Sequence, residues 1–156
     1  IIGILVLGSI IWIARPDNQN TVSSASSSNG TLTVEEASNY DFGSISMAKG
    51  IVKHAFKIKN TGNGEVIINK MYTSCMCTTA TLMMKDGQYG PYGMPGHGLI
   101  PNIGKAIDSN EEATIEVVFD PAAHGPAGVG RIQRAITVEN NAGQPIELMF
   151  SAIVTP

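Results

Sequence analysis

Apolar residues recur at every second position in several short segments of this chain, and that spacing is typical of half-buried β-strands. In the segment 52–59, valine, phenylalanine and isoleucine share one side with His54, and lysines occupy most of the other side. Six further segments have strand-like composition and are bounded by turn residues: 31–35, 42–45, 65–73, 113–119, 132–138 and 146–154. No amphipathic helix of useful length separates them. We therefore predict an all-β fold for residues 31–156, an immunoglobulin-like antiparallel β-sandwich of about seven strands.

The N-terminal residues have a different composition. Residues 1–14 contain no charged side chain and would form a helix of roughly 21 Å, short of the ~30 Å hydrocarbon core of a bilayer. The sequence begins with Ile1 rather than Met, so we expect an upstream piece to complete the span. Arg15-Pro16-Asp17 offers no small-residue cleavage site, which favours an N-terminal membrane-anchor helix over residues 1–15 rather than a cleaved signal peptide. A Ser-rich linker follows at residues 16–30.

An apolar anchor, a flexible linker and a compact domain together predict a membrane-anchored protein. Its domain is expected on the extracytoplasmic side, either periplasmic or extracellular. The expected partners are the membrane, through the N-terminal helix, and another protein of the bacterial cell envelope. The formal net charge is −3 and the chain has no basic run, which argues against a nucleic-acid partner.

Four short motifs follow one another along the predicted strands: Asp41-Phe42-Gly43-Ser44-Ile45, His54-Ala55-Phe56, Asn60-Thr61-Gly62 and Ser74-Cys75-Met76-Cys77-Thr78. In that order they resemble the landmarks of the bacterial family called domain of unknown function 1573. The usual motif of that family is Ser-Cys-Gly-Cys-Thr, so Met76 stands in place of its glycine. The resemblance implies an immunoglobulin-like fold in an exported protein that is anchored by a lipid or a helix. It implies no particular activity.

Cys75 and Cys77 lie two positions apart at the end of a predicted strand. In extended backbone their Cα atoms would be roughly 6.5 Å apart, near the upper limit for a disulfide. A disulfide therefore requires the backbone to bend, whereas two thiolates that bind one metal ion require no such closure. The pair is thus open to three interpretations: small buried side chains, a disulfide or metal ligands.

Two histidines lie outside the strand pattern, in segments rich in glycine and proline. His97 follows Met94 in a stretch predicted to be one long loop, residues 84–105, and His124 follows the strand that ends at Phe119. Thiolate, thioether and imidazole ligands suit copper or zinc, and no carboxylate cluster suggests calcium or magnesium. We therefore predict one site for a soft metal ion, copper first and zinc second, with Met94 as a weak ligand beside four stronger ones: Cys75, Cys77, His97 and His124. The competing interpretation is that each histidine is an ordinary polar residue of a loop or turn.

Two functions from different classes follow from these residues. The first is an extracytoplasmic domain that binds a soft metal ion, and the second is a non-catalytic interaction module of the cell envelope. In the second, the long loop contacts a partner protein through Tyr89, Tyr92 and Met94, since interfaces are enriched in aromatic residues and methionine. An enzyme is not expected, because the chain lacks a Gly-x-Ser-x-Gly elbow, a phosphate-binding loop and a Cys-x-x-Cys motif.

Two residues of the predicted strands do not fit the apolar side on which they fall. His54 is interpreted as a histidine of the core or of a sheet edge. Arg134 lies between Ile132 and Ile136, and we expect either a β-bulge or a buried ion pair to accommodate it.

Overall fold

Ten β-strands form two five-stranded sheets in the computed structural model, which describes residues 28–156. The strands, in chain order, are β1 Leu32–Val34, β2 Asn39–Ser46, β3 Val52–Asn60, β4 Val66–Thr73, β5 Thr78–Met84, β6 Gly87–Tyr92, β7 Lys105–Ile107, β8 Glu112–Phe119, β9 Gly130–Asn140 and β10 Ile146–Thr155. The predicted anchor and residues 16–27 of the predicted linker lie outside the described residues. Within the described part, no helix has the length and apolarity needed to cross a membrane.

The two sheets enclose one apolar core. The order of strands is β1-β3-β8-β5-β6 in the first sheet and β2-β10-β9-β4-β7 in the second. The period-two alternation holds in the structure: Phe56 on β3 and Phe119 on β8 are 3% and 2% exposed, whereas Lys57 is exposed. His54 shares their side and is half-buried at the edge of the core. The predicted all-β sandwich is confirmed.

The strand count differs from the prediction because the structure adds β5, β6 and β7 to the seven expected strands. The inward positions of β5 are Thr78, Ala80 and Leu82, so only one of them has a large apolar side chain. β6 contains Gly90 and Pro91, which usually indicate a turn, but it is an edge strand, where proline is tolerated. The stretch 84–105 is therefore not a single loop.

One strand pair is parallel, whereas the prediction was an antiparallel sandwich. β2 runs parallel to β10, with Tyr40 opposite Phe150 and Ser46 opposite Thr155. All other pairs are antiparallel within the described residues. The alternation of side chains specifies which face of a strand is buried, and it contains no information about the direction of the neighbouring strand.

Asn60 holds the turn that follows β3. Its side chain is fully buried, and its amide nitrogen donates to the carbonyl oxygens of Gly64 at 2.7 Å and Ile107 at 2.9 Å. Its amide oxygen accepts from the backbone N–H groups of Thr31 at 3.1 Å and Gly62 at 3.0 Å. A Cβ atom on Gly62 would collide with the backbone of residues 30–31, so the close approach of these segments requires glycine there.

The described end of the predicted linker packs against the same turn. The carbonyl oxygen of Asn29 accepts from the N–H groups of Asn63 at 3.2 Å and Gly64 at 3.3 Å, and Gly30 is buried. Residues 28–30 therefore belong structurally to the sandwich.

Candidate functional site

Cys75 and Cys77 lie in the connection between β4 and β5, where the chain passes from one sheet to the other. The two form a disulfide, with their Cα atoms 5.3 Å apart. The backbone is bent rather than extended, because the N–H of Thr78 donates to the carbonyl oxygen of Cys75 at 3.1 Å. The Thr73 hydroxyl lies 3.0 Å from the carbonyl oxygens of both Cys75 and Thr78 and holds this turn from below. This bend is what the disulfide interpretation required.

The turn buries its sulfurs and exposes the residue between them. Cys75 is 8% exposed and Cys77 is 4% exposed, and both belong to the core cluster. Met76 is 51% exposed. The disulfide therefore closes one end of the core while remaining close to the surface.

His124 reaches this disulfide from the segment that follows β8. The N–H of Asp120 donates to the carbonyl oxygen of Cys77 at 2.9 Å, which ties the segment to the cysteine turn. The Asp120 carboxylate accepts from the N–H of Ala122 at 2.9 Å, and Gly125 takes a φ of 55°, so the chain reverses beside His124. The Nε2 atom of His124 consequently lies 3.1 Å from the Sγ atom of Cys75.

Three of the predicted ligands are thus brought together. The Sγ atoms of Cys75 and Cys77 and a ring nitrogen of His124 all lie within 4.8 Å of one another. Two sulfurs and one imidazole in this arrangement form a group able to hold a metal ion once the cysteines are reduced.

His97 and Met94 are placed differently. His97 is not a member of this group within the described residues. It is exposed, its N–H donates to the carbonyl oxygen of Met94 at 3.1 Å, and both residues line a surface pocket together with Met76. The His97 segment therefore lies beside the outer surface of the cysteine turn.

Tyr89 and Tyr92, predicted as contact residues of a long loop, lie in strand β6 and are half-buried against the core. The Tyr89 hydroxyl donates to the Asp86 carboxylate at 2.7 Å, and the Nζ atom of Lys105 lies 4.4 Å from the centre of the Tyr89 ring. The hydrogen bond from Tyr89, together with that from Lys105, lowers the pKa of Asp86.

Arg134 completes the surroundings of the disulfide. Its Nε atom donates to the Sγ atom of Cys77 at 3.4 Å, and Nη1 donates to the carbonyl oxygen of Gln133 at 2.8 Å. Neither the expected bulge nor the expected ion pair is found in the described part of the chain, since Arg134 lies in continuous register opposite Phe150. Arg134 instead donates a hydrogen bond to a neutral disulfide sulfur, which is a weak acceptor. The misfit of a charged residue on an apolar face was the signal in the sequence, although it did not identify the partner.

The model of a family described as "protein of unknown function (DUF1573)" matches residues 32–91. This match confirms the resemblance inferred from the motifs. It extends from the start of β1 into β6 and includes Cys75 and Cys77, whereas His124 and Arg134 lie beyond it. No curated protein matches the chain.

Several solved structures are similar to this chain at low sequence identity. A protein of unknown function from Porphyromonas gingivalis W83 is 15% identical with a TM-score of 0.58, over 86% of this chain and 51% of that one. The ASH/PapD-like domain 7 of human CEP192 is 12% identical with a TM-score of 0.46, over 83% of this chain and 87% of that one. The secreted serine protease VesC from Vibrio cholerae is 10% identical with a TM-score of 0.49, over 80% of this chain and 24% of that one. The chain therefore spans about half the length of the first structure, and the first likeness shows a shared fold only.

Proposed function

We propose that this domain, which matches the DUF1573 family over residues 32–91, binds a soft metal ion through Cys75, Cys77 and His124 in its dithiol form. Copper is the preferred metal for this site, and zinc is the alternative. We further propose that the immunoglobulin-like sandwich is held at the extracytoplasmic face of a membrane by residues 1–15. The absence of charge in residues 1–14 supports this location.

The observation that supports metal binding is the distance among the three donor atoms. Bonds of ~2.0–2.3 Å allow two ligands of one metal ion to lie at most about 4.6 Å apart. The three donors lie within 4.8 Å of one another while the cysteines are still joined, so small side-chain rotations in the dithiol form are sufficient. The metal and the disulfide exclude each other, because both use the same sulfurs.

The charge near the site favours Cu(I) over Zn(II). Two thiolates and one monovalent ion leave one negative charge, and the Arg134 guanidinium beside Cys77 offsets it. Two thiolates and one divalent ion are already neutral, so Arg134 would add an uncompensated positive charge next to zinc. Soft thiolate ligands also select Cu(I).

A competition titration tests the proposal. The full chain, purified in detergent and reduced without oxygen, is titrated with Cu(I) in the presence of a chromophoric Cu(I) chelator. We expect one equivalent to be withdrawn from the chelator by the parent and none by the Cys75→Ser, Cys77→Ser variant. Equal withdrawal by both chains would exclude the thiolate site. The titration is repeated with Zn(II) and a zinc chelator, and a parent that withdraws neither metal would favour the interaction module of the cell envelope instead.

A further inference from the structure

The two sulfurs of the disulfide have different neighbours. Cys77 Sγ lies beside the Arg134 guanidinium at 3.4 Å and the Thr78 hydroxyl at 3.6 Å, and its residue is the more buried of the pair. Cys75 Sγ lies against His124, whose side chain is exposed, and accepts from the N–H of Cys77 at 3.4 Å. Both sulfurs are buried, but Cys75 Sγ borders an exposed histidine, whereas Cys77 Sγ borders a fixed positive charge.

This asymmetry matters for disulfide chemistry. A disulfide is cleaved when a thiolate attacks one sulfur and the other departs as a thiolate, and the reaction is faster when the departing thiolate is stabilised. A guanidinium remains charged at every physiological pH, so it stabilises a sulfur anion without itself changing protonation state. Structural disulfides in secreted proteins are typically resistant to reduction, whereas labile ones serve regulation or catalysis.

We propose that Cys75–Cys77 is a reversible thiol–disulfide exchange centre, in which Cys75 Sγ is the sulfur attacked by an external dithiol and Arg134 stabilises the departing Cys77 thiolate. The co-reactant is a dithiol of a small molecule or of a protein. Arg134 acts as a positioning and charge-stabilising residue on the departing sulfur.

The exchange balances in two steps. The first thiolate of the dithiol attacks Cys75 Sγ, a mixed disulfide forms, the Cys75–Cys77 bond breaks, and its electron pair stays on Cys77 Sγ. The second thiolate of the dithiol then attacks the dithiol sulfur that is bonded to Cys75. This attack closes the disulfide of the reductant and releases Cys75 Sγ as a thiolate. Two electrons pass to the protein, and the two protons lost by the dithiol are available to the new thiolates of Cys75 and Cys77. The reverse reaction begins with attack by Cys75 on an external disulfide and ends with attack by Cys77.

This inference does not rest on metal binding, because no step of the exchange uses a metal ion. The two proposals have separate measurements: the rate of reduction of the oxidised protein in a metal chelator, and the copper affinity of the reduced protein. If both hold, exchange determines when the metal ligands become available.

The first test compares the rates at which dithiothreitol reduces the disulfide of the folded full chain, followed by mass spectrometry of alkylated samples in the presence of a chelator. We expect Arg134→Gln to slow reduction roughly tenfold, since a hydrogen bond to a charged group is lost from the departing sulfur. Arg134→Lys should recover part of the rate. Arg131→Gln is the matched control, because it removes the same charge from the same strand at an exposed position. An Arg134→Gln variant that is folded and is reduced at the parental rate would overturn the proposal.

The second test does not depend on the folding of the Arg134 variants. The Cys77→Ser and Cys75→Ser chains each retain one thiol, and the probe is the aromatic disulfide 5,5′-dithiobis(2-nitrobenzoate). At a pH high enough to ionise both thiols, we expect Cys75, in Cys77→Ser, to react several-fold faster than Cys77, in Cys75→Ser, because Cys77 is the more deeply buried and its thiolate is the more strongly stabilised. Equal rates, or a faster Cys77, would contradict the assignment of Cys75 as the exchanging sulfur.

Discussion

The imidazole Nε2 of His124 lies 3.1 Å from the Sγ of Cys75, although 49 positions of sequence separate the two residues. The turn that begins at Asp120 produces this contact, since the N–H of Asp120 donates a hydrogen bond to the carbonyl oxygen of Cys77. The backbone of the cysteine turn thus positions the histidine that faces its own sulfur. His124 lies in a loop of ordinary composition, and it becomes part of a site because of where β8 ends.

The two loop histidines are expected to differ in their effect on copper binding. His124→Ala should weaken Cu(I) binding by the reduced chain at least about tenfold. The loss of a residue that only contacts a metal ligand already lowers affinity by about tenfold or more, and the loss of a direct ligand should lower it further. His97→Ala should retain the parental affinity, because His97 lies outside the group of three donors. Competition with a Cu(I) chelator measures both variants. Equal losses would indicate that His97 moves into the site when the metal binds.

The core register is tested on neighbouring residues of β3. Phe56→Asp should reduce the free energy of unfolding by about 4 kcal/mol or more, because it removes a buried ring and buries an unpaired charge. Lys57→Asp, at the exposed neighbouring position, should change it by far less. Urea unfolding of both variants provides the comparison. Tolerance of Asp at position 56 would mean that the register of β3 is wrong.

Asn60 offers a second test of stability. Asn60→Ala should cost about 3 kcal/mol or more, because two backbone N–H groups and two carbonyl oxygens lose their partner. Asn63→Ala, exposed in the same turn, is the matched control and should be close to neutral. Thermal unfolding of the two chains decides between a structural hydrogen-bonding role for Asn60 and a simple turn preference.

His54 should make the fold more sensitive to acid. Burial lowers the pKa of His54, partly opposed by the Glu36 carboxylate, and the ring is stacked on Tyr40 with centroids 3.6 Å apart. The unfolded chain takes up a proton at His54 near pH ~6.5, whereas the folded chain takes it up only at lower pH. Stability should therefore fall as the pH is lowered from neutrality through the ordinary histidine range to the folded pKa. His54→Phe should show a smaller difference between urea midpoints at pH 7.5 and 5.5 than the parent, and an unchanged difference would contradict this assignment.

The anchor remains a prediction, and fractionation of cells that express the native chain tests it. We expect the full-length protein in the membrane fraction until detergent is added, because residues 1–14 have no charged side chain. Full-length protein in the soluble fraction without detergent would disprove the anchor.

Sequence patterns predicted those strands whose inward residues are large and apolar. The alternation around Phe56 and Phe119 gave the correct buried face. β5 was not predicted because Thr78 and Ala80 occupy two of its inward positions, and β6 was not predicted because Gly90 and Pro91 resemble turn residues. The parallel pairing of β2 with β10 was beyond prediction, since pairing direction depends on contacts between distant segments.

The site was predicted in part for a related reason. Cys75 and Cys77 are only two positions apart in the sequence, so their proximity follows from local geometry. His97 and His124 both lie among glycines and prolines, and composition cannot distinguish the one that folds against the sulfurs. Arg134 was recognised as a misfit on an apolar strand, but its partner is a sulfur 57 positions away. A search for ion-pair partners considers only Asp and Glu side chains, so it does not identify a sulfur as the partner of Arg134.

The parallel pairing of β2 with β10 has a consequence for how the chain is made. The Thr155 hydroxyl donates to the carbonyl oxygen of Ile45 across 110 positions, so β2 obtains its neighbour only after nearly all the described residues exist. A chain that leaves a ribosome or an export channel from its N-terminal side releases β2 first and β10 last. Throughout that interval the β2 backbone is an unpaired strand edge, which neighbouring chains can use as a template for aggregation. β2 is therefore synthesised early and paired late, and during that interval a nascent chain of this protein is open to aggregation through its β2 edge.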